Sequence, residues 1–174
     1  MESCDKGITI TRDVRAKGDV RLECEEDAHV QADVFSASGC ISIESWEMGI
    51  EISGALTACG SVTVSSEKDL VVNGRISALD VDFCSCCGSL TVTGGVTSAR
   101  DVSIEGSLDV RIYGAITSAD DIWICSDHGS VFLNNTLTAR HDVDVLARGS
   151  VFQNSSITAG GHVHIHAGYR GWGC

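Results

Sequence analysis

Gly54–Ser77 reads G-A-L-T-A-C-G-S-V-T-V-S-S-E-K-D-L-V-V-N-G-R-I-S. The stretch returns to its own beginning. Leu56 is followed by Val62 six residues on, by Leu70 eight further on, and by Ile76 six beyond that, which gives a period of 20 residues. Self-similarity at such a spacing is the signature of a stacked repeat fold.

Working outward, three series cover the chain. The first runs Val20, Ile41, Val62, Val81, Val102, Ile122, Val143, Val163. The second runs Ile8, Val30, Ile50, Leu70, Leu90, Val110, Val131, Val151, and the third Val14, Phe35, Leu56, Ile76, Val96, Ile116, Leu137, Ile157. Steps are 20 or 21 residues, with one of 22 (Ile8 to Val30) and one of 19 (Val62 to Val81). Within each segment apolar and polar residues alternate, the period-2 signal of a half-buried strand. Segments this short are unstable alone. Three per turn, each stacked on its counterpart in the next turn, bury a continuous aliphatic column on every face. The expected fold is therefore all-β: a single-stranded, right-handed parallel β-helix (β-solenoid), three short strands per turn, about eight turns of about 20 residues. At about 4.8 Å per turn the rod is on the order of 40 Å long.

Small residues mark the corners. Cys24, Ser45, Ser66, Ser85, Gly106, Ser126, Ala147 and Ala167 follow the first series. Ala16, Ala37, Ala58, Ala78, Ser98, Ser118, Ala139 and Ala159 follow the third. Glycines such as Gly54, Gly74, Gly94 and Gly114 are expected at turns, where a positive φ costs them least. Aromatics make up 5% of the chain, which fits a core too narrow for rings. Residues 8–167 are repeat throughout. Residues 1–7 are read as an N-terminal tail and 168–174 as a C-terminal tail or cap.

Composition narrows the function. The formal charge of −12 argues against nucleic-acid binding through phosphates. No apolar run approaches a membrane span. Met1–Gly7 has neither the basic start nor the apolar stretch of a secretory signal, so a cytoplasmic location is expected unless the chain is a fragment. The nine cysteines follow no disulfide-framework spacing and are read as reduced thiols. Cys84, Cys86 and Cys87 are read as structural, because no second C-x-x-C pair accompanies them.

The repeats 54–64 (G-A-L-T-A-C-G-S-V-T-V), 114–124 (G-A-I-T-S-A-D-D-I-W-I) and 155–165 (S-S-I-T-A-G-G-H-V-H-I) resemble the haemagglutinin-type repeats of filamentous-haemagglutinin adhesins. That resemblance covers nearly all of the chain and implies a right-handed parallel β-helix used as a surface rod. Residues 72–83 (V-N-G-R-I-S-A-L-D-V-D-F) more loosely resemble the bactofilins, and imply a cytosolic β-helix that polymerises end to end. Neither resemblance brings catalytic residues or a cofactor.

Several outward positions are candidate sites. His162, His164 and His166 alternate on the last strand, above Asp142 and Asp144 one repeat earlier. Imidazole and carboxylate in adjacent columns could hold zinc or a similar ion. The alternative is simple His–Asp pairing. Asp19, Asp80, Asp101, Asp121 and Asp142 line one corner, where Asp readily caps turn amides. With Asp82, Asp120, Asp144, Glu44 and Glu105 they form an acidic stripe that could mimic a phosphate track. Ser36, Thr57, Ser77, Thr97, Thr117, Thr138 and Thr158 make an outward hydroxyl column, with Val34, Ala55, Arg75, Gly95, Ala115, Thr136 and Ser156 beside it. Val71, Arg111, Phe132 and Phe152, with Tyr113 beside them, make an outward face carrying aromatics, a candidate interface. Ile8 and Ile10 at one end, and Tyr169 and Trp172 at the other, are candidate contacts for end-to-end association or plugs against it.

No nucleophile–base pair or cleft-forming insertion stands out, so the chain is not expected to be an enzyme. The expected role is a rigid, non-catalytic scaffold that self-associates end to end or face to face, or presents a face to another protein. The alternatives are an adhesin-like segment, an acidic nucleic-acid mimic, and a metal-binding protein using the histidine strand.

Overall fold

A computed structural model describes residues 6–168. Twenty-four strands, all parallel, form three eight-stranded sheets. The first sheet begins with Ile8–Ile10, the second with Val14–Ala16 and the third with Val20–Cys24, and each visits every turn once. The fold is a β-solenoid of eight turns, as the period requires.

Each turn leans on the next through residues one repeat apart. Leu56 pairs with Ile76, Val62 with Val81, and Leu70 with Leu90. All six of these side chains are at most 2% exposed. Burying an aliphatic side chain of this size stabilises by roughly 1.5–3 kcal/mol. The gain exists only because a neighbouring turn covers the side chain, which is why no single turn folds alone.

Pairing corrects the reading of turn two. The second-series residue there is Ala28, not Val30, because Ile8 pairs with Ala28 and Ala28 with Ile50. The 22-residue step thus falls one turn later than the sequence suggested. Likewise Val34, not Phe35, pairs with Val14 and Leu56. Ser36, not Ala37, is then the inward corner residue, and it is fully buried. Phe35 turns outward to 37% exposure and takes Ser36's expected place in the hydroxyl column, beneath Thr57. In the companion column Asp33, not Val34, stands below Ala55. Period-2 alternation cannot separate these registers when an aromatic stands beside a valine, because a slip of one residue exchanges faces.

Phe83 corrects a second expectation. It occupies an inward position between Val64 and Ile104 and is fully buried, so the core admits a ring at that level.

The three corners differ. Three residues separate the first-sheet strand from the second-sheet strand in every turn, whereas the other two corners hold two to four. The invariant corner contains Gly54, Gly74, Gly94 and Gly114. A Cβ on Gly74, Gly94 or Gly114 would lie 1.8 Å from the carbonyl oxygen of the glycine one turn below. These glycines are required by close approach of stacked backbones. Positive φ is not the reason: among the described residues only Gly168 adopts it.

The other corners use hydroxyls. Seven inward serines are buried: Ser36, Ser45, Ser66, Ser85, Ser98, Ser118 and Ser126. Each donates to a backbone carbonyl, for example Ser45 to Glu26 at 2.7 Å and Ser98 to Leu79 at 2.6 Å. Their small size was legible in the sequence, but this second role was not. A tight corner turns a carbonyl inward where water cannot reach, and the hydroxyl satisfies it. No buried side-chain nitrogen or oxygen among the described residues lacks a partner.

Candidate functional site

The end of the rod differs from its middle. In turn eight, Val163 and Ile165 stand in the inward columns of the third sheet, above Val143 and Val145. They are 47% and 38% exposed, while the residues below them are fully buried. Val151 and Ile157 are only partly buried. Gln153 pairs with Leu133 and so occupies an inward column that is otherwise aliphatic. It is exposed, and its amide donates to Ser155 O at 3.1 Å. At the opposite end Ile8, Ile10, Val14, Ala16 and Leu22 are likewise only partly buried. Among the described residues, both ends of each sheet are therefore edge strands backed by aliphatic side chains. Tyr169 and Trp172 lie outside the described residues.

The first-sheet face brings its predicted residues into one column. Val71, Arg111, Phe132 and Phe152 follow one another through Thr91. Phe132 and Phe152 stack with ring centroids 4.8 Å apart and planes inclined by 10°. The Arg111 guanidinium sits 5.4 Å from the Phe132 centroid and is anchored by Asp109 at 2.6 Å. The column is thus largely a ladder of side chains covering one another. Phe152, at its end, and Tyr113 beside it remain 46% exposed.

The histidine strand pairs with the aspartates below it. His162 Nδ1 lies 3.4 Å from Asp142 Oδ1, and His164 Nδ1 lies 3.2 Å from Asp144 Oδ1. The His164 and His166 rings meet edge to face at 6.1 Å. Among the described residues, the group of three that brings ligand atoms within 4.8 Å of one another lies elsewhere, at Asp120, Asp121 and His141.

The aspartate column is a capping ladder. Asp19 Oδ1 accepts the Cys40 N–H at 2.8 Å, Asp121 that of Asp142 at 2.8 Å, and Asp142 that of His162 at 2.6 Å. The last of these bonds holds the Asp142 carboxyl below its usual range. A second ladder, not noticed in the sequence, runs along the corner before the first sheet. There Asp27, Asp69 and Asp109 accept the N–H groups of Gly49, Ser89 and Ser130. Its signal was present, an Asp three residues after the corner residues Cys24, Ser66 and Gly106. Amide capping accounts for the placement of Asp19, Asp121 and Asp142 in the first ladder and of Asp27, Asp69 and Asp109 in the second.

Among the cysteines, Cys84 and Cys86 approach with sulfurs 3.9 Å apart, and Cys87 donates to Glu67 at 3.1 Å. Burial pushes the Cys84 thiol up to about 12, helped by the neighbouring Cys86, Glu105 and Asp82 charges. Such a thiol is a poor nucleophile near neutrality. Cys24, Cys40, Cys59, Cys84, Cys86 and Cys87 are free thiols. Cys125, buried on an outward column, is disulfide-bonded, a departure from wholly reduced cysteines.

The described residues include no helix long and apolar enough to cross a membrane. No family model, curated protein or solved structure matches the chain. The class defined by the fold is a parallel β-solenoid.

Proposed function

We propose that this protein is a rigid, non-catalytic rod that associates with its own copies end to end. The observation carrying the reading is turn eight, where apolar columns that are sealed inside the rod stand open to water at Val163 and Ile165. A second copy supplies the matching surface. Its first turn has the same cross-section and strand direction, and would set Ile8 over Val151, Val14 over Ile157, and Val20 and Leu22 over Val163 and Ile165. Open parallel edges template such pairing, and an apolar end surface favours stacking. Gln153 opposes it, since the same junction sets it against Ile10. Corners of two to four residues leave little chain for the long loops on which solenoid enzymes build sites.

Sedimentation velocity over a concentration series tests this. Wild type is expected to form a ladder of masses, which Val163→Asp with Ile165→Asp collapses to the single rod and Gln153→Leu extends. A single-rod mass at every concentration overturns the reading. Loss of the ladder in Phe152→Ser with the end variants unaffected also overturns it, and moves the interface to the first-sheet face.

A further inference from the structure

At the corner leading into the third sheet, turns six and seven bring three metal-ligating groups together. Asp120 and Asp121 precede the strand Ile122–Ser126, and His141 lies just before Val143–Ala147, one turn on. A carboxylate oxygen from each aspartate and a ring nitrogen of His141 lie within 4.8 Å of one another. His141 Nδ1 already contacts Asp120 Oδ1.

The backbone beneath is well held. The Asp120 N–H donates to Ser118 Oγ at 3.0 Å and to Arg100 O at 3.1 Å. Ser118 is itself buried, and its hydroxyl donates to the same carbonyl. The His141 N–H donates to Asp120 O at 3.1 Å, and Asp121 Oδ1 accepts from the Asp142 N–H at 2.8 Å. The nearby cation, Arg100, is engaged two-pronged by Asp80 at 2.9 and 2.8 Å. It therefore has a carboxylate of its own in turn four's corner.

We propose that Asp120, Asp121 and His141 bind a divalent transition-metal ion of the zinc class, with water completing the shell. Two carboxylates and one imidazole suit zinc, cobalt or manganese. Calcium and magnesium prefer oxygen alone, and copper(I) prefers sulfur. With metal–ligand bonds of about 2.0–2.2 Å, ligand atoms sit about 3.5 Å apart, so side-chain movements of about 1 Å, which part His141 Nδ1 from Asp120 Oδ1, complete the set. The imidazole comes from a different turn than the carboxylates, so the ion bridges turns six and seven. The His162 and His164 pairs each offer one imidazole and one carboxylate and are separate from this site.

Cobalt(II) titration of the full chain, followed by visible absorption and by calorimetry, provides the test. One saturable equivalent without thiolate charge-transfer absorption is expected, with a raised melting temperature. His141→Ala and Asp121→Asn are expected to weaken binding at least about tenfold, with circular dichroism unchanged, while His162→Ala with His164→Ala leaves it intact. Absence of saturable binding overturns the proposal. So does thiolate absorption, equal affinity in His141→Ala, or loss of binding only in the double histidine variant.

Discussion

Val143 and Val163 stand in one column of the third sheet, a single turn apart. Val143 is fully buried and Val163 is 47% exposed. The two turns share strand length and alternation, and differ only in whether another turn follows among the described residues. A middle turn thus owes its stability to neighbours on both sides, and an end turn to one. The same change in sequence should cost the rod very differently along its length.

The largest contrast is expected between Ile76→Ala and Ile165→Ala. Ile76 is fully buried between Leu56 and Val96, and truncation there should cost about 3–4 kcal/mol in chemical denaturation. At Ile165 the loss should be about 1 kcal/mol. Equal losses would mean that turn eight is covered as fully as turn four. Next comes the glycine corner. Gly74→Ala places a methyl against Gly54 O, and the forced separation of turns should cost about 2–3 kcal/mol. Gly18→Ala meets no atom within 4 Å, so its denaturation midpoint should barely move.

Corner hydroxyls come third. Ser98→Ala takes one of two donors from the Leu79 carbonyl, which keeps the Arg100 N–H at 2.7 Å, and should cost about 0.5–1 kcal/mol. Ala78, in the same column one turn below, carries no hydroxyl, and the Gly60 carbonyl at that corner already accepts the Leu79 N–H at 2.9 Å, so Ala78→Ser should gain nothing. The last effect is absent at neutral pH and grows only as the medium becomes alkaline. The Cys84 thiol ionises near 9.0 in the unfolded chain and is pushed up to about 12 in the folded one. Between those values the unfolded chain has lost a proton that the folded chain keeps, so rising pH favours unfolding. The penalty is absent below the lower value and complete above the upper. Melting temperatures across that window should fall more steeply for wild type than for Cys84→Ser. Parallel slopes would show that the thiol is not held neutral by the fold.

Most of the architecture was legible because the period repeats eight times, and one misread segment is outvoted by seven others. The two misreadings fell together in turn two. There Val34-Phe35-Ser36 offers two plausible alternations and Ala28-His29-Val30 two inward residues, and only the pairing to Val14 and Ile50 chooses between them. The histidine–aspartate columns were legible for the same reason as the core. The cluster of Asp120, Asp121 and His141 was not, because corner side chains follow no alternation.

By itself the sequence determined that turns stack every twenty residues and which aliphatic columns face inward, because alternation and period are properties of the chain alone. Only the tertiary structure decided why glycine is needed at Gly74, which carbonyls the corner serines satisfy, and which ligand atoms converge before the third sheet. Those depend on approaches of a few ångströms between residues in different turns, and no local pattern encodes such distances.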